Sequence, residues 1–343
     1  MFPVAEAAWS ALSDCASSGL IWFSVFDRAF RLPGGEKVIP DCDLLANRPC
    51  RSKHPGMAEG DSSDAALVLV GHGSTLNADS AAPTYQHADE LRRRNLFAQV
   101  LECFWKLEPP ICGVLRGVFA SRVFVVPLFI SEGYFTEEII PRELGLRAND
   151  RTDFPRVQRR GGRTICYCGP VGTHDSMTNV LLARAREIID KHPGPASAQR
   201  KDIALFIAGH GTGNNENSRA AIERQVELIR ARNVYAEVHA VFMEEEPRIG
   251  DCYRLTRAKN IVMVPFFISD GLHSYEGIPF MLGEPVEAVQ SRLKSGQPTW
   301  RNPTEKNGKL VWYTSAIGSE PHIADVILAR VHEARLAGER KKS

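Results

Sequence analysis

Short apolar runs alternate with amphipathic segments along the chain from about residue 65 onward. Residues 66–71, "ALVLVG", and 203–209, "IALFIAG", are continuous apolar runs that end in glycine. Such runs are typical of parallel strands that are covered on both faces. Residues 218–232 instead carry apolar side chains at helical spacing, with Ser218 as a candidate N-cap. The pattern therefore predicts a fold in which buried strands and surface helices alternate.

The same pattern occurs twice. His210 follows His72 by 138 residues, and Pro265 follows Pro127 by the same interval. Farther along, Gly318 follows Gly172 by 146 residues within a second block of matching sequence. A period of about 140 residues is too long for a solenoid and indicates a duplicated domain.

The order of elements predicts the α/β class, with two tandem lobes that each contain a four-stranded parallel sheet with helices on both faces. We assign residues 65–192 to the N-terminal lobe and 201–337 to the C-terminal lobe. Residues 1–64 show neither the helical nor the strand periodicity of apolar residues and are interpreted as a poorly ordered extension. Met57 is an alternative start of translation within that extension.

Composition narrows the possible partners. A hydrophobic fraction of 43% with 24% charged residues is that of a globular protein, and a net charge of +1 provides no overall field for nucleic acid or an anionic membrane. Apolar runs stay well below the roughly 20 residues of a membrane span. The eight cysteines form no CxxC pair, which favours a reducing cytoplasm. Cys166 and Cys168 are interpreted as buried thiols on opposite faces of one strand.

Histidines follow the predicted strands at the end where parallel sheets bind ligands. His72 and His210 each stand between two glycines after the first strand of their copy. In the second copy, His273 follows another strand and Glu244 follows a third, so the three side chains are expected to meet at one sheet edge. Neutral imidazoles and a carboxylate suit cobalt, iron or nickel, and they also suit proton removal near neutral pH.

The first copy differs at two of these three positions. Phe135 stands where the second copy has His273, and Lys106 stands where it has Glu244. The metal and proton chemistry is therefore assigned to the C-terminal lobe. Glu245 remains an alternative to Glu244 as the working carboxylate.

Four segments carry a family resemblance: "ALVLVGHGSTLN", "VPLFISEGYFTEEIIP", "IALFIAGHGTGNN" and "VPFFISDGLHSYEGIP". With them the chain resembles the sirohydrochlorin cobaltochelatase family of class II tetrapyrrole chelatases, which is related to sirohydrochlorin ferrochelatase. The resemblance covers both lobes. It implies a lyase that inserts a divalent metal, cobalt first and iron next, into sirohydrochlorin or a related tetrapyrrole for cobalamin or siroheme biosynthesis. It implies Co²⁺ or Fe²⁺, with Ni²⁺ less favoured, as substrate and no organic cofactor.

The same resemblance implies roles for individual residues. His210, His273 and Glu244 match the positions that act as metal ligands and catalytic groups in two-lobed members. The expected partners are the tetrapyrrole and the metal ion, without nucleic acid or membrane. Candidates for substrate binding are His72, Gly211, Arg219 and Arg248, because backbone N–H groups and arginines can receive carboxylates. Two lobes in one chain can replace a homodimer, which predicts a monomer.

Other functions fit the sequence less well. A histidine phosphatase would carry an arginine before its strand-end histidine, where this chain has Gly71 or Gly209. A purely structural repeat gives no reason for histidines to gather at strand ends. A nonenzymatic carrier of metal or tetrapyrrole needs the same ligands as a chelatase, so only turnover distinguishes the two.

Overall fold

The computed structural model describes residues 62–75, 77–148, 153–194, 200–211 and 216–340. The predicted extension, residues 1–64, lies outside this part of the chain except for its last three residues. Within the described ranges, no helix has the length and apolar character needed to span a membrane.

The described residues form two five-stranded sheets, one in each repeat. The strands of the first sheet are β1 Ala65–Gly71, β2 Gln99–Phe104, β3 Arg122–Pro127, β4 Val157–Arg160 and β5 Arg163–Tyr167, in the order β2-β1-β3-β5-β4. The strands of the second sheet are β6 Ile203–Gly209, β7 Glu237–Phe242, β8 Asn260–Pro265, β9 Thr304–Lys306 and β10 Lys309–Tyr313, in the order β7-β6-β8-β10-β9. The equivalent orders confirm the duplicated α/β fold.

Helices connect these strands. In the described ranges the α-helices are α1 Ala82–Arg94, α2 Ile111–Val114, α3 Ile140–Glu143, α4 Met177–Lys191, α5 Glu216–Ala231, α6 Cys252–Leu255, α7 Ile278–Met281, α8 Val286–Lys294 and α9 Ile323–Arg340. Short 3-10 helices cover Ala78–Ser80, Leu115–Gly117, Val171–Thr173, Arg200–Asp202, Ile249–Asp251 and Ile317–Ser319. One π-helix follows the third strand of each sheet, Phe135–Ile139 and His273–Gly277.

Each sheet contains the four predicted parallel strands and one further, antiparallel edge strand. β4 pairs with β5, and β9 pairs with β10. The connecting residues are Gly161 and Gly162 in the first sheet and Asn307 and Gly308 in the second, all with positive φ. Two consecutive residues of this conformation form the tight hairpin turn that matches the twist of a sheet. The edge strands were not predicted because they are short and mostly polar.

Two local predictions are wrong. Helix α5 begins at Glu216, so Ser218 lies inside its first turn and does not cap it. Cys166 and Cys168 are both buried, but they pack into the same hydrophobic core, because residues two apart on a strand share a face.

One hydrophobic core extends through both sheets. Leu67 and Leu69 of β1 point into it, as do Leu205 and Ile207 of β6. The alternate residues of these strands face two separate cores, one on the outer side of each sheet. Both sheets are therefore buried on both faces, as their apolar runs predict.

The last helix of each repeat packs on the sheet of the other repeat. Helix α4 contacts β8 and β10, whereas α9 contacts β3 and β5. Two equivalent hydrogen bonds join each of these helices to the other repeat. Arg184 Nη2 donates to Ser319 Oγ at 2.9 Å, and Arg330 Nη2 donates to Thr173 Oγ1 at 2.5 Å. The boundaries 65–192 and 201–337 describe the two sequence repeats and stay a prediction for the lobes. In the fold, α4 and α9 each pack on the sheet of the other repeat.

Loops at the carboxyl ends of the two sheets contact each other. Tyr275 OH donates to Asp79 Oδ2 at 2.8 Å, and Asn77 Nδ2 donates to the Asp270 carbonyl at 3.1 Å. On the other side, Asn217 Nδ2 donates to the carbonyl of Glu132 at 3.2 Å. The ligand-binding ends of the two sheets are thus brought together.

Candidate functional site

His210 is held at the end of β6 by its own turn. Its Nδ1 donates to the Gly211 carbonyl at 3.0 Å, which in a neutral ring leaves Nε2 with a free lone pair. Gly211 has a φ of +68°, and a Cβ there would lie 3.0 Å from Cβ of Phe242. This turn therefore requires glycine and fixes the direction of the imidazole.

His273 is the first residue of the π-helix that follows β8, the neighbour of β6. Its ring centroid lies 4.8 Å from that of His210, with the planes at 85°. The side chain reaches solvent, but packing against His210 and Phe267 removes enough water to lower the pKa of His273 to about 4, and repulsion from His210 adds to this. The His273 imidazole is therefore neutral at pH 7.

Glu244 is the carboxylate that lies beside His210. Its Oε1 lies 3.7 Å from Nε2 of His210, and its side chain is 55% exposed. Glu245 points elsewhere, since its Oε2 accepts a hydrogen bond from Arg219 Nη1 at 3.0 Å. The structure thus distinguishes the two neighbouring glutamates by their partners.

The other predicted residues surround this group. Arg219 is bound to Glu245 and, at 2.8 Å, to Glu223. Arg248 donates to the carbonyl of Met243 at 2.7 Å. Both arginines help to hold the loop that carries Glu244.

The histidine pair does not form a closed metal cage. Across the described ranges, no three His, Cys, Asp or Glu side chains are grouped so that they could hold one ion. Two open cavities, of about 340 and 310 Å³, are not lined by His210 or His273; Arg142 and Arg147 line the first, and Arg219 lines the second. The site offers separate lone pairs at an accessible sheet edge.

The corresponding position in the first lobe is aromatic. The rings of His72, Trp105 and Phe135 contact one another, with centroids 5.3, 5.1 and 4.9 Å apart. Nζ of Lys106 lies 4.8 Å from the centroid of the Trp105 ring. Trp105 was not predicted as a site residue. The signal for it in the sequence is the difference from Met243, the residue 138 positions later in the second repeat.

The lowered pKa of His273 predicts a dependence of stability on pH. Between about pH 6.5 and 4 the unfolded chain binds more protons at this residue than the folded chain, so the free energy of unfolding falls as the pH is lowered. His273→Phe, which introduces the residue of the first lobe, is expected to lose less stability between pH 7 and 5 than the unmodified protein. Urea unfolding of both proteins at the two pH values measures this difference. A constant difference between them would contradict the assigned pKa.

The chain is similar to known proteins. The CbiX family model matches residues 66–188 and 204–334. A protein of Halobacterium salinarum, described as a probable sirohydrochlorin cobaltochelatase, is 43% identical over 279 residues, which cover 78% of this chain and 91% of the relative. A sirohydrochlorin cobaltochelatase of Methanopyrus kandleri is 28% identical over 140 residues, covering 38% of this chain and 96% of the relative.

Solved structures resemble the chain as well. A multi-domain protein of Deinococcus radiodurans, described as similar to chelatases, has 32% identity and a TM-score of 0.62 over 78% of this chain; the match spans 54% of that protein, or about half its length. SirB from Bacillus subtilis, determined with Fe³⁺, has 19% identity and a TM-score of 0.57, covering 80% of this chain and 97% of its own. The second likeness is one of fold.

Proposed function

Because the chain belongs to the CbiX family, we propose that this metal chelatase inserts a divalent ion, Co²⁺ before Fe²⁺, into sirohydrochlorin or a related tetrapyrrole. The observation that carries the proposal is the contact between His210 and His273 at the carboxyl ends of neighbouring strands. Cobalt comes first because the relatives of the chain are described as cobaltochelatases.

Metal insertion exchanges two pyrrole N–H protons for one divalent cation, so the site must accept protons while it delivers the ion. A neutral imidazole can do either. The low pKa of His273 keeps its lone pair available at neutral pH, and the hydrogen bond from His210 Nδ1 leaves Nε2 of that ring available. We assign both imidazoles to these two tasks.

Glu244 completes the group as a charged, exposed carboxylate beside His210. It can balance the charge of the entering ion, and its exposure allows protons to pass to solvent. The metal is a substrate that must leave the protein for the ring nitrogens. Transfer of the ion therefore does not require a closed cage of ligands.

Substrate contacts are assigned to residues next to this group and to the equivalent strand end of the first lobe. His72, the Gly211 backbone, Arg219 and Arg248 are the candidates for holding the ring and its carboxylates. The reaction exchanges protons for a metal ion without a redox or group-transfer step, so it requires no organic cofactor.

A direct assay tests the function. Purified protein is mixed with metal-free sirohydrochlorin and Co²⁺, Fe²⁺ or Ni²⁺ in turn, without oxygen, and the change in the absorption spectrum is followed. We expect many turnovers with cobalt, a lower rate with iron and the lowest with nickel. Metallation that stops at one equivalent per protein would identify a carrier, and iron faster than cobalt would reverse the metal assignment.

A further inference from the structure

The three packed rings at the strand ends of the first lobe form a distinct surface, which we name the aromatic cluster: His72, Trp105 and Phe135. Each ring contacts the other two edge to face, and Tyr134 lies beside Phe135 at 5.8 Å. Trp105 and Tyr134 remain exposed, at 37% and 59%. Mutual edge contacts hold the rings in place, so the surface is both apolar and preorganised.

Packing of the first lobe does not explain this exposure. The large aromatic side chains of the core, such as Phe104 and Phe124, are fully buried. Trp105 instead extends from the loop after β2, where the equivalent residue of the second lobe is Met243. Exposed aromatic side chains grouped at the ligand-binding edge of a sheet indicate contact with another molecule.

Charge narrows the chemistry of that molecule. Where the second lobe places Glu244, the first places Lys106, whose ammonium group lies against the Trp105 ring. At this position the second lobe therefore has a carboxylate and the first has an ammonium group. Phe135 occupies the position that corresponds to His273. This end of the first sheet lacks the two candidate metal ligands and instead presents an apolar surface with a positive charge. It suits a flat, conjugated molecule that carries carboxylates.

The position of the aromatic cluster fits the same ligand. The carboxyl ends of the two sheets contact each other through Asn77 with Asp270 and Tyr275 with Asp79. The aromatic cluster and the pair of histidines occupy equivalent places on these two ends. A flat ring between the lobes can therefore contact the aromatic cluster while its nitrogens receive the metal from the other side.

We propose that the aromatic cluster, together with Lys106, binds the metal-free tetrapyrrole: Trp105 and Phe135 contact the face of the macrocycle, and Lys106 pairs with one of its carboxylates. This proposal rests on the function proposed above and adds a division of labour between the lobes. The first lobe holds the macrocycle, and the second delivers the metal.

Binding of metal-free sirohydrochlorin, followed by its own absorbance, tests the proposal without turnover. Trp105→Leu is expected to raise the Kd about tenfold, the order found when an aromatic residue is removed from a stacked ring. Trp105→Phe is expected to retain most of the affinity. Phe119→Leu is the matched control, because Phe119 is 87% exposed in the same lobe but precedes β3, at the amino ends of the parallel strands. Its Kd is expected to equal that of the unmodified protein.

Lys106→Met separates the charge from the ring contacts. It is expected to weaken binding of sirohydrochlorin and to make that binding less sensitive to salt. Cobalt affinity, measured without tetrapyrrole, should be unchanged in Trp105→Leu and Lys106→Met. Circular dichroism and thermal unfolding establish that each variant is folded.

The outcomes distinguish this proposal from the proposed function. An unchanged Kd in folded Trp105→Leu, an equal loss in Phe119→Leu, or no binding by the unmodified protein would each overturn the assignment of the aromatic cluster. If the unmodified protein binds sirohydrochlorin through Trp105 but inserts no metal, the aromatic cluster is supported and the proposed function fails. If metal is inserted while Trp105→Leu binds normally, the reverse holds.

Discussion

His210→Ala and His273→Ala are each expected to lower the initial rate of metal insertion at least about 100-fold. Each substitution removes one of the two imidazoles that contact each other at the ends of β6 and β8. The fold should persist, because both side chains lie at an open strand end and contribute little to the core. The measurement is the initial rate at saturating sirohydrochlorin with cobalt, with circular dichroism as a check of folding.

His72→Ala is the matched control, since it removes the equivalent histidine from the first lobe. We expect a milder loss there, mainly in the KM for the tetrapyrrole, because His72 contacts Trp105 and Phe135 and no second histidine. If His72→Ala were as inactive as the other two, the chemistry would not belong to the C-terminal lobe. Full activity in all three variants would refute the mechanism.

Gly318→Ala is expected to destabilise the protein by at least about 3 kcal/mol or to prevent folding. A Cβ at this position would lie 1.5 Å from the carbonyl oxygen of Ile268, a backbone atom that cannot turn away. The Gly318 carbonyl also accepts a hydrogen bond from the buried His87 of the other lobe at 2.6 Å. Any displacement of Gly318 therefore disturbs the core that both sheets share.

Urea unfolding of two further variants checks this explanation. Gly172→Ala should be similarly harmful, because its Cβ would lie 2.0 Å from the carbonyl oxygen of Ile130. Gly113→Ala should change the free energy of unfolding by no more than about 1 kcal/mol, since no atom outside its own helical turn and chain neighbours lies within 4 Å of the added carbon. A Gly318→Ala protein as stable as Gly113→Ala would show that the backbone relaxes at this turn.

The sequence predicts the parallel strands well because burial on both faces leaves unbroken apolar runs such as 66–71 and 203–209. The edge strands β4 and β9 could not be predicted in this way, since an edge strand has few apolar residues. Their turns did carry a signal, Asn307 followed by Gly308, which is typical of a tight hairpin.

The candidate site was predicted in part. The 138-residue repeat identifies the strand-end histidines and the Phe135 and Lys106 differences, because these follow from position alone. It does not reveal that Glu245 pairs with Arg219 and Glu244 faces His210, since that choice depends on side-chain directions in one loop. The contact of Trp105 with Phe135 and the packing of α4 and α9 on opposite sheets are likewise tertiary. No periodicity along the chain encodes them.

The exchange of helices α4 and α9 has an evolutionary consequence. A chain with a single repeat of this kind would need a second copy to supply the helix that covers its sheet. Fusion of two copies makes that supply independent of protein concentration, because the partner is always attached. Fusion also allows the copies to diverge, whereas identical subunits must change together. Within one chain the two halves can therefore differ at equivalent positions, as they do at Phe135 and Lys106 in the first repeat and His273 and Glu244 in the second.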